Sequence, residues 1–570
     1  MIESIDRIFD AAPLLAVFVT VALGYLVGKL TIGQFVLGGV AGSLLVGVLV
    51  GQLGIHIDTS TKSIFFAMFI YAVGYQGGPQ FFRSINRNSL NQVASALVMC
   101  LVGLICVLVS AWAFDLDRGT AAGLAAGGLT QSAIIGTAGD AIAQLGVSAE
   151  QIKILQTNVA VGFAVCYIFG NLGPIIMVTW FLPMMMKWNI REEAVKLARS
   201  MAGGKAALEP GQFNAIQSVV TRVYRVSDSS KAVGKSTMDI NRALPNAAVK
   251  AILRDGDVLA LSDNTRIESG DRIAMAGKIG VMVEAASYFG TETVAPPHLQ
   301  LVEEQREIIL TRKDLIGMTV GQMQAQMDIQ TRHSVYLKAI KRMGQNLPLL
   351  PGLELNRGDE LLLCGAPKDL AAVQAMIGYR ISAAAVTDFV FFGFGMALGI
   401  LIGMITFRID GIPVTLGTGG GCLLAGLLFG WLRSVHPQFA TLPAGASNFL
   451  RDFGLAVFVA IVGVSAGPQA ITTIQQYGLT LLFLGIGVTI IPQIITFYFS
   501  YYVLGIKNPI EALGCVAGGR SANPGFAALL AKAGNATPVV SFTVTYAIAT
   551  VFLTICGPLI VGIITKNPTP

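Results

Sequence analysis

Two short stretches of sequence decide how this chain folds: Gly127-Gly128-Leu129-Thr130-Gln131-Ser132 and Gly518-Gly519-Arg520-Ser521-Ala522-Asn523-Pro524. Both combine glycines with polar side chains, and apolar sequence surrounds both. The first lies within residues 119–147, which are too polar and too broken by glycine to form a helix that faces lipid. Irregular backbone at membrane depth has to be buried in protein or line a cavity. We therefore expect a re-entrant or broken helix at each stretch.

The rest of the chain has the composition of a membrane protein. Of its 570 residues, 54% are hydrophobic and only 13% are charged, whereas soluble globular proteins carry about a quarter charged residues. The charged groups are too few to cover a surface that faces water. The net charge of +6 comes without a basic run interleaved with aromatic residues, so we expect no nucleic-acid partner.

Apolar stretches of spanning length fill the first part of the chain, and similar sequence returns after residue 380. In the first part they lie at 12–30, 34–53, 63–82, 90–114 and 152–183. The intervening insert has the composition of a soluble domain. We therefore predict about five crossings in each half, with a re-entrant segment added to each.

Charged loops indicate the orientation of the chain. Basic residues favour the cytoplasmic side, which places Lys29 and the loop containing Arg83 inside, together with the insert that follows Lys187. The acidic loop at 115–117 then lies outside. This pattern requires that 119–147 does not cross the membrane.

The N-terminus carries more acidic than basic charge, with Glu3, Asp6 and Asp10 against Arg7. A signal peptide would begin with a positive region. We therefore expect the first apolar stretch to be retained, with the N-terminus outside. Because five crossings is an odd number, the second half starts in the cytoplasm and must be inverted relative to the first.

The two halves repeat the same motifs in the same order. G-x-x-x-G-x-L-L-x-G-x-x-x-G runs from Gly38 to Gly51 and again from Gly417 to Gly430. Three shorter motifs follow in both halves: V-G-x-x-x-G-P-Q at 73–80 and 462–469, Ala-Gly-Gly at 126–128 and 517–519, and Gly-Pro at 173–174 and 557–558. A shared bias toward glycine would not preserve this order. Duplication with inverted topology is typical of secondary transporters.

The insert contains a second repeat. Gly270-Asp271 and Gly358-Asp359 each begin three residues after an apolar residue and precede a short alternating apolar strand. This pattern is typical of a turn between strands. The predicted fold is an α-helical polytopic membrane protein of two inverted repeats with an α+β cytoplasmic insert. We place the parts as follows: membrane repeat 1 at 1–186, a linker at 187–206, α+β modules at 207–290 and 300–379, and membrane repeat 2 at 381–570.

Common sequence motifs for nucleotide-dependent and metal-dependent catalysis are absent from the chain. It has no Walker A string, no G-x-G-x-x-G after a soluble strand and no H-E-x-x-H. Six of the seven cysteines lie in apolar segments, and none has C-x-x-C spacing. We therefore expect neither an enzyme nor a bound cofactor, metal or disulfide.

Arg520 is the strongest candidate for binding chemistry. A guanidinium remains charged at membrane depth and can hold a carboxylate through two hydrogen bonds. The alternatives are an internal ion pair, for instance with Asp452 or Asp140, and a position near the membrane interface. Other polar or helix-breaking positions suggest a pathway or hinge: Gly78, Pro79, Gly467, Pro468, Pro524 and Asp140. Gln80 and Gln469 either face this pathway or cap a helix break.

These motifs resemble the aspartate:alanine exchanger family of bacterial secondary transporters over essentially the whole length. The resemblance rests on V-G-x-x-x-G-P-Q in both halves, on Gly127-Gly128-Leu129-Thr130 and on Gly518-Gly519-Arg520-Ser521. The two Gly-Asp motifs of the insert are similar to those of paired TrkA-C domains. The insert would then either bind a small regulator or stiffen a dimer.

The resemblance implies a homodimer in the bacterial inner membrane that works by an elevator mechanism and exchanges external L-aspartate for internal L-alanine. Arg520 would hold one substrate carboxylate. The rest of the implied binding set comprises Gly128, Thr130, Gln131, Ser132, Gly519, Ser521 and Asn523. Two alternatives stay open: a C4-dicarboxylate exporter of the succinate type, and an ion channel regulated by the TrkA-C domains. Against the channel, the chain lacks the T-V-G-Y-G type of filter that a channel of this kind would be expected to contain.

Overall fold

The computed structural model divides the chain into two compact units, residues 1–197 with 385–570 and residues 198–384. The described residues are 9, 11–32, 35–55, 57–84, 89–203, 220–244, 247–262, 264–277, 279–296, 299, 303–326, 335–381, 386–409 and 412–566. The acidic N-terminal residues, Arg87 and the first part of the 207–290 module lie outside them.

The first membrane repeat contains seven helices and a small hairpin within the described residues. They are α1 (Pro13–Val27), β1 (Thr31–Ile32), β2 (Phe35–Val36), α2 (Gly39–Gly51), α3 (Thr59–Ser84), α4 (Leu90–Ala113), α5 (Arg118–Gly128), α6 (Ala133–Ala143) and α7 (Ala149–Ile176). Helix α7 continues through a π-helical turn, Met177–Phe181, to Met186. These bounds agree with the predicted apolar stretches, and 119–147 is divided between α5 and α6. Helix α8 (Ile190–Met201) follows.

Within its described residues, the insert contains two five-stranded antiparallel sheets. The first comprises β3 (Val220–Arg225), α9 (Thr237–Ala243), β4 (Ala247–Arg254), β5 (Asp257–Val258), β6 (Arg272–Gly277), α10 (Ile279–Phe289) and β7 (Glu292–Thr293). The second comprises β8 (Glu304–Leu310), α11 (Val320–Gln326), β9 (Val335–Arg342), β10 (Gln345–Asn346), β11 (Glu360–Gly365), α12 (Pro367–Ile377) and β12 (Gly378–Arg380). The strand orders, β5-β4-β6-β3-β7 and β10-β9-β11-β8-β12, correspond strand for strand.

The repeated Gly-Asp turns explain this correspondence. Each glycine has positive φ, +87° at Gly270 and +83° at Gly358, a conformation that glycine adopts without steric cost. The Asp359 carboxylate is almost fully buried and accepts hydrogen bonds of 2.8 Å from both Nε and Nη2 of Arg342. Asp271 accepts the equivalent bonds from Arg254, at 2.9 and 3.0 Å. Each aspartate therefore ties its turn to a strand across the sheet.

The two sheets also contact each other through a partly buried charge pair. Lys250 Nζ on β4 lies 3.8 Å from Asp369 Oδ2 on α12. Burial lowers the pKa of the Lys250 ammonium, and the nearby carboxylates of Asp369 and Glu303 oppose this shift.

The second membrane repeat has the same order of elements as the first. Its elements are α13 (Phe389–Gly403), β13 (Thr406–Ile409), β14 (Ile412–Thr415), α14 (Gly417–Val435), α15 (Ala444–Tyr498), α16 (Pro509–Gly519), α17 (Asn523–Ala533) and α18 (Val539–Ile563). The single 55-residue helix α15 corresponds to α3 and α4 together. At 1.5 Å per residue it is about 80 Å long, far more than the roughly 30 Å of a bilayer core.

Within the described residues, four helices are long and apolar enough to span a membrane: α4, α7 with its extension, α15 with its extension, and α18. Glycines allow the helices to pack closely. A Cβ at Gly47 of α2 would lie 2.9 Å from the carbonyl oxygen of Ala460 in α15, and one at Gly74 of α3 would strike the Leu423 carbonyl of α14. Each repeat therefore packs its glycine motif on the other repeat.

The contacts between α3 and α15 demonstrate the inversion. Lys62 and Ser465 line one cavity, and the ring centroids of Phe66 and Phe458 lie 4.7 Å apart. Further along α3, Phe69 packs on Gly454. Residue numbers rise along one helix as they fall along the other, so α3 and α15 are antiparallel. Because their V-G-x-x-x-G-P-Q motifs are equivalent, the repeats are inverted, as predicted.

Helices α5 and α6 form a re-entrant hairpin, which confirms the prediction for 119–147. At the start of α5, Gly119 packs on Leu155 of α7, and at its end Gly127 packs on Phe163. Helix α6 then returns, and Gln156 Nε2 donates to the Gly139 carbonyl at 3.0 Å. The hairpin therefore enters and leaves at the same level of α7.

Helices α16 and α17 form the equivalent hairpin in the second repeat. Gly518 packs on Phe542 and Thr545 of α18. On the return, the Phe526 ring stacks on Phe542 with centroids 3.6 Å apart. Both arms of this hairpin therefore reach the same level of α18.

The membrane unit consists of two helical bundles. The α3/α14 bundle contains α1–α3, α13, α14 and α15 up to Gly467. The hairpin bundle contains α4–α7, α16–α18 and α15 from Leu481. Helices within each bundle pack mainly on one another, and α15 belongs to both.

The re-entrant hairpin generates a topology prediction. Single cysteines introduced at Asp115 and Glu150, on either side of the first hairpin, should react with an impermeant maleimide from the same face, the outside. A cysteine at Arg87 should react from the inside. Labelling of whole cells and inverted vesicles, in a background without native cysteines, measures this. Opposite accessibility of positions 115 and 150 would mean that 119–147 crosses the membrane.

The buried Gly-Asp turn generates a stability prediction. Arg342→Ala should lower the free energy of unfolding of the insert by about 3 kcal/mol, because it leaves the buried Asp359 carboxylate without its partner. Arg312→Ala, which removes an exposed pair with Asp314, should have no measurable effect. Pulse proteolysis of the purified full chain in urea measures both. Equal midpoints for the Arg342 variant and the wild type would contradict the prediction.

Candidate functional site

The tips of the two hairpins have the same unusual backbone. Thr130 and Ser521 occupy equivalent positions, directly after the helices α5 and α16, and have φ angles of 54° and 49°. Side chains other than glycine rarely adopt this left-handed conformation. Strain of this kind persists where the surroundings over-determine the backbone, and it concentrates at functional sites.

The tips meet each other through polar contacts. Arg520 Nη2 donates to the Gly128 carbonyl at 2.6 Å, and Thr130 Oγ1 donates to the Arg520 carbonyl at 3.3 Å. Ser521 Oγ donates to Gln131 Oε1 at 3.2 Å. The structure therefore brings together the two stretches that the sequence singled out.

The Arg520 side chain is fully buried (0% exposed) and is the largest such side chain in the described part of the protein. Within the described residues its Nε and Nη1 atoms have no hydrogen-bond partner. A buried guanidinium with unused donors is costly. Its single bond, to Gly128, uses one of the five N–H groups, and the three N–H groups on Nε and Nη1 have no acceptor in the described residues.

The alternative of an internal ion pair is not realised in the described residues. Asp140 Oδ2 accepts a hydrogen bond of 3.3 Å from the Gly419 backbone, and Asp452 pairs with its neighbour Arg451 at 2.8 Å. Neither carboxylate contacts Arg520. Arg520 therefore has no ion-pair partner among the described residues.

Gln131 attaches the first tip to α18. Its Nε2 donates to the Thr550 carbonyl at 3.1 Å and to Thr554 Oγ1 at 2.9 Å. With its Oε1 accepting from Ser521, the buried amide already has partners on both sides. Gln131 therefore positions the two tips relative to α18.

Ser132 and Asn523 begin the return helices α6 and α17, at equivalent positions. Ser132 is partly exposed and Asn523 is exposed. Pro524 lies in the first turn of α17, where its missing N–H costs no helical bond. Behind the tips, Gly128 packs on Val488 and Gly519 on Met99, with hypothetical Cβ contacts of 3.0 and 3.3 Å. These glycines allow the tips to approach α15 and α4.

Helix α15 contributes two site residues that the sequence analysis missed. Thr489 Oγ1 donates to the Gly128 carbonyl at 2.8 Å, so Thr489 and Arg520 share this acceptor. One turn later, buried Gln493 donates to the Thr489 carbonyl, and its Oε1 has no partner in the described chain. The sequence does contain a pattern that could have revealed these two residues. Polar residues recur at helical spacing within an apolar helix, at Thr489, Gln493, Thr496 and Ser500.

Asp117, which the sequence assigned to an outer loop, is buried at the base of the first hairpin. It caps α5 by accepting from the Gly119 and Thr120 backbones at 2.8 and 3.0 Å. Asn158 Nδ2 of α7 also donates to it at 3.0 Å, and Asn158 in turn accepts from Thr473 of α15. Asp117 therefore fixes the hairpin to two neighbouring helices.

The predicted hinge prolines lie within continuous helices. Helix α3 runs through Pro79 and α15 through Pro468. Gly78 packs on the Leu427 carbonyl of α14, and Gly467 packs on Gly51 of α2. The structure does not bring these positions to the hairpin tips. Gln80 is buried in α3, and the Gln469 side-chain carbonyl is buried without a partner among the described residues.

Comparison with known proteins agrees with this architecture. A family model described as a predicted permease membrane region matches residues 16–184 and 391–562. A TrkA-C domain model matches residues 222–290. No solved structure matches the chain.

Curated relatives match over nearly their full length. An uncharacterized transporter of Francisella tularensis is 52% identical over 98% of both chains, and one of Zymomonas mobilis is 43% identical over 99% of both. An uncharacterized transporter of Shewanella oneidensis is 33% identical over 97% of this chain and 98% of its own. The chain therefore belongs to the aspartate:alanine exchanger family of membrane transporters, with a TrkA-C domain in its insert.

Proposed function

We propose that the protein is a secondary antiporter that takes up L-aspartate in exchange for L-alanine by elevator-type alternating access. The observation that carries the proposal is Arg520, a fully buried guanidinium with unused donors at the contact between two re-entrant tips. Each substrate carries an α-carboxylate that a guanidinium can bind through charge-assisted hydrogen bonds.

The N-terminal ends of the two return helices also favour a ligand with an anionic group, such as a carboxylate. Helices α6 and α17 both begin at the tips, and the residues at their N-cap positions make no side-chain capping bond in the described structure. Free N–H groups and the helix dipole make such ends attractive to anions. The hydroxyls of Thr130 and Ser132 and the Asn523 amide lie beside them and would complete the site.

Transport needs a site that can be exposed to either side in turn. The hairpin bundle contains both tips, whereas the α3/α14 bundle contains neither. A movement of the hairpin bundle past the α3/α14 bundle would carry the bound substrate across the membrane. The inverted repeats support this mechanism, because they provide two similar arrangements of one set of contacts.

The proposed exchange moves charge. Aspartate carries a net charge of −1 at neutral pH and alanine carries none, so one-for-one exchange is electrogenic. We place the protein in the bacterial inner membrane as a homodimer, with the N-terminus outside and the TrkA-C-like insert in the cytoplasm.

Labelled L-aspartate uptake into proteoliposomes tests the exchange, with vesicles preloaded with L-alanine, succinate or buffer alone. Acceleration by internal alanine, and a change of rate with an imposed membrane potential, are the expected results. Acceleration by succinate alone would make the protein a dicarboxylate transporter. Uptake that ignores the internal solute would exclude an obligate exchanger and favour a uniporter or channel.

Arg520→Lys and Arg520→Met should each lower aspartate uptake by at least about 100-fold, equivalent to about 2.7 kcal/mol. Lysine keeps the charge but lacks the planar set of donors. Arg451→Lys, at a partly exposed arginine of the same unit, should keep uptake near the wild-type rate. Normal aspartate kinetics in the Arg520 variants would remove this residue from the site.

The same substitution separates a binding role from a structural one. Arg520→Met removes a buried charge that has only one partner, so the thermal midpoint of the purified protein should stay equal or rise. A fall of many degrees would instead mean that the arginine holds the hairpins together. Differential scanning fluorimetry in detergent measures this.

A further inference from the structure

A cavity lies on the boundary between the two bundles, away from the hairpin tips. The α3/α14 bundle lines it through α3 and α15, and the hairpin bundle lines it through α6 and α7. Its polar lining consists of Lys62, Ser63, Asp140, Gln156, Thr157 and Ser465.

Two opposite charges face this cavity without forming an ion pair. Lys62 comes from α3, and its ammonium has no hydrogen-bond or ion-pair partner in the part of the chain that the structure describes. Asp140 comes from α6, and its carboxylate accepts from the Gly419 backbone at the start of α14. The Gln156 side chain already donates a hydrogen bond to the Gly139 carbonyl, and the Ser63 hydroxyl donates one to the Thr59 carbonyl. The ammonium and the carboxylate are therefore the charged groups available to a ligand.

We propose that this cavity is a second binding site for a zwitterionic α-amino acid, with the ligand carboxylate on Lys62 and the ligand ammonium on Asp140. A simple anion would satisfy Lys62 alone, and a cation would satisfy Asp140 alone. Only a ligand with both charges serves both groups. The inference rests on the proposed function, since it takes an amino acid as the transported solute.

The two sites are well separated along α7. Gln156 lines the cavity, whereas Gly170 packs on Thr130 at the first tip. Fourteen residues of helix correspond to about 21 Å. The cavity lies at the level where the first hairpin enters and leaves, so a substrate would bind there before or after it reaches the tips. Since Lys62 and Asp140 belong to different bundles, the ligand would also bridge the part that moves and the part that does not.

Equilibrium binding of labelled L-alanine to the purified full chain tests the proposal. The wild type should bind two molecules per chain and Arg520→Met one. Adding Lys62→Met to Arg520→Met should weaken the remaining binding by about tenfold or more, the usual effect of losing a hydrogen bond to a charged group. Lys153→Met, an exposed lysine one turn before Gln156, is the matched control and should leave it unchanged.

Analogues with one charge provide the second arm. In the Arg520→Met background, L-alanine should displace the label, whereas propionate and ethylamine should not. Displacement by propionate alone would mean an anion site at Lys62 and would overturn the proposal, as would binding that is unchanged by Lys62→Met.

A double substitution distinguishes ligand binding from an internal charge interaction. If Lys62 and Asp140 serve each other, Lys62→Met with Asp140→Asn should restore binding lost in either single variant. The proposal requires the double variant to bind more weakly than both. A wild type that neither binds nor transports amino acids would instead overturn the proposed function itself, and transport with only one bound alanine per chain would overturn this inference alone.

Discussion

The structure depends on one constraint: where a helix is broken inside a membrane, its backbone N–H and C=O groups must find hydrogen-bond partners within the protein, because water is absent there. Helices α5 and α16 both end in the middle of the protein, and the Gly128 carbonyl at the end of α5 is satisfied from the opposite repeat, by Arg520 and Thr489. The Arg520 carbonyl lies 3.3 Å from Thr130 Oγ1, whose shorter hydrogen bond, of 2.7 Å, goes to the Leu129 carbonyl. Each tip therefore makes hydrogen bonds to the opposite repeat, and these bonds connect the two hairpins.

The proposed function depends on a difference between the two repeats. Leu129 and Arg520 occupy the same position after the Gly-Gly pair, yet Leu129 packs on Gly103 whereas Arg520 places a charge at the centre of the protein. A symmetric pair of leucines would leave an apolar contact, and a pair of arginines would repel each other. One arginine gives the site a single net positive charge, which suits a ligand that presents a carboxylate.

The glycine motifs have a different role from the hairpins. They bring α2 against α15 and α3 against α14 at distances that no larger side chain would permit, and so they build a bundle that holds neither tip. Polar groups recur at its boundary with the hairpin bundle, including Lys62, Asp140 and the Gly419 backbone. A boundary with few committed charged groups suits two bodies that change their contacts, because no strong buried pair has to break.

Sequence alone determined the class of fold, because the composition, the odd number of apolar stretches and the ordered repeat of glycine motifs permit few arrangements in a bilayer. It also singled out Arg520 and the tip residues as candidates, since polar groups are conspicuous in apolar sequence. Only the tertiary structure decided their partners. Asp117, which the sequence assigned only to an outer loop, is a buried helix cap, and Thr489 and Gln493 reach the candidate site from a distant helix. Hydrogen bonds across hundreds of residues follow from how helices pack, and no local pattern in the chain encodes them.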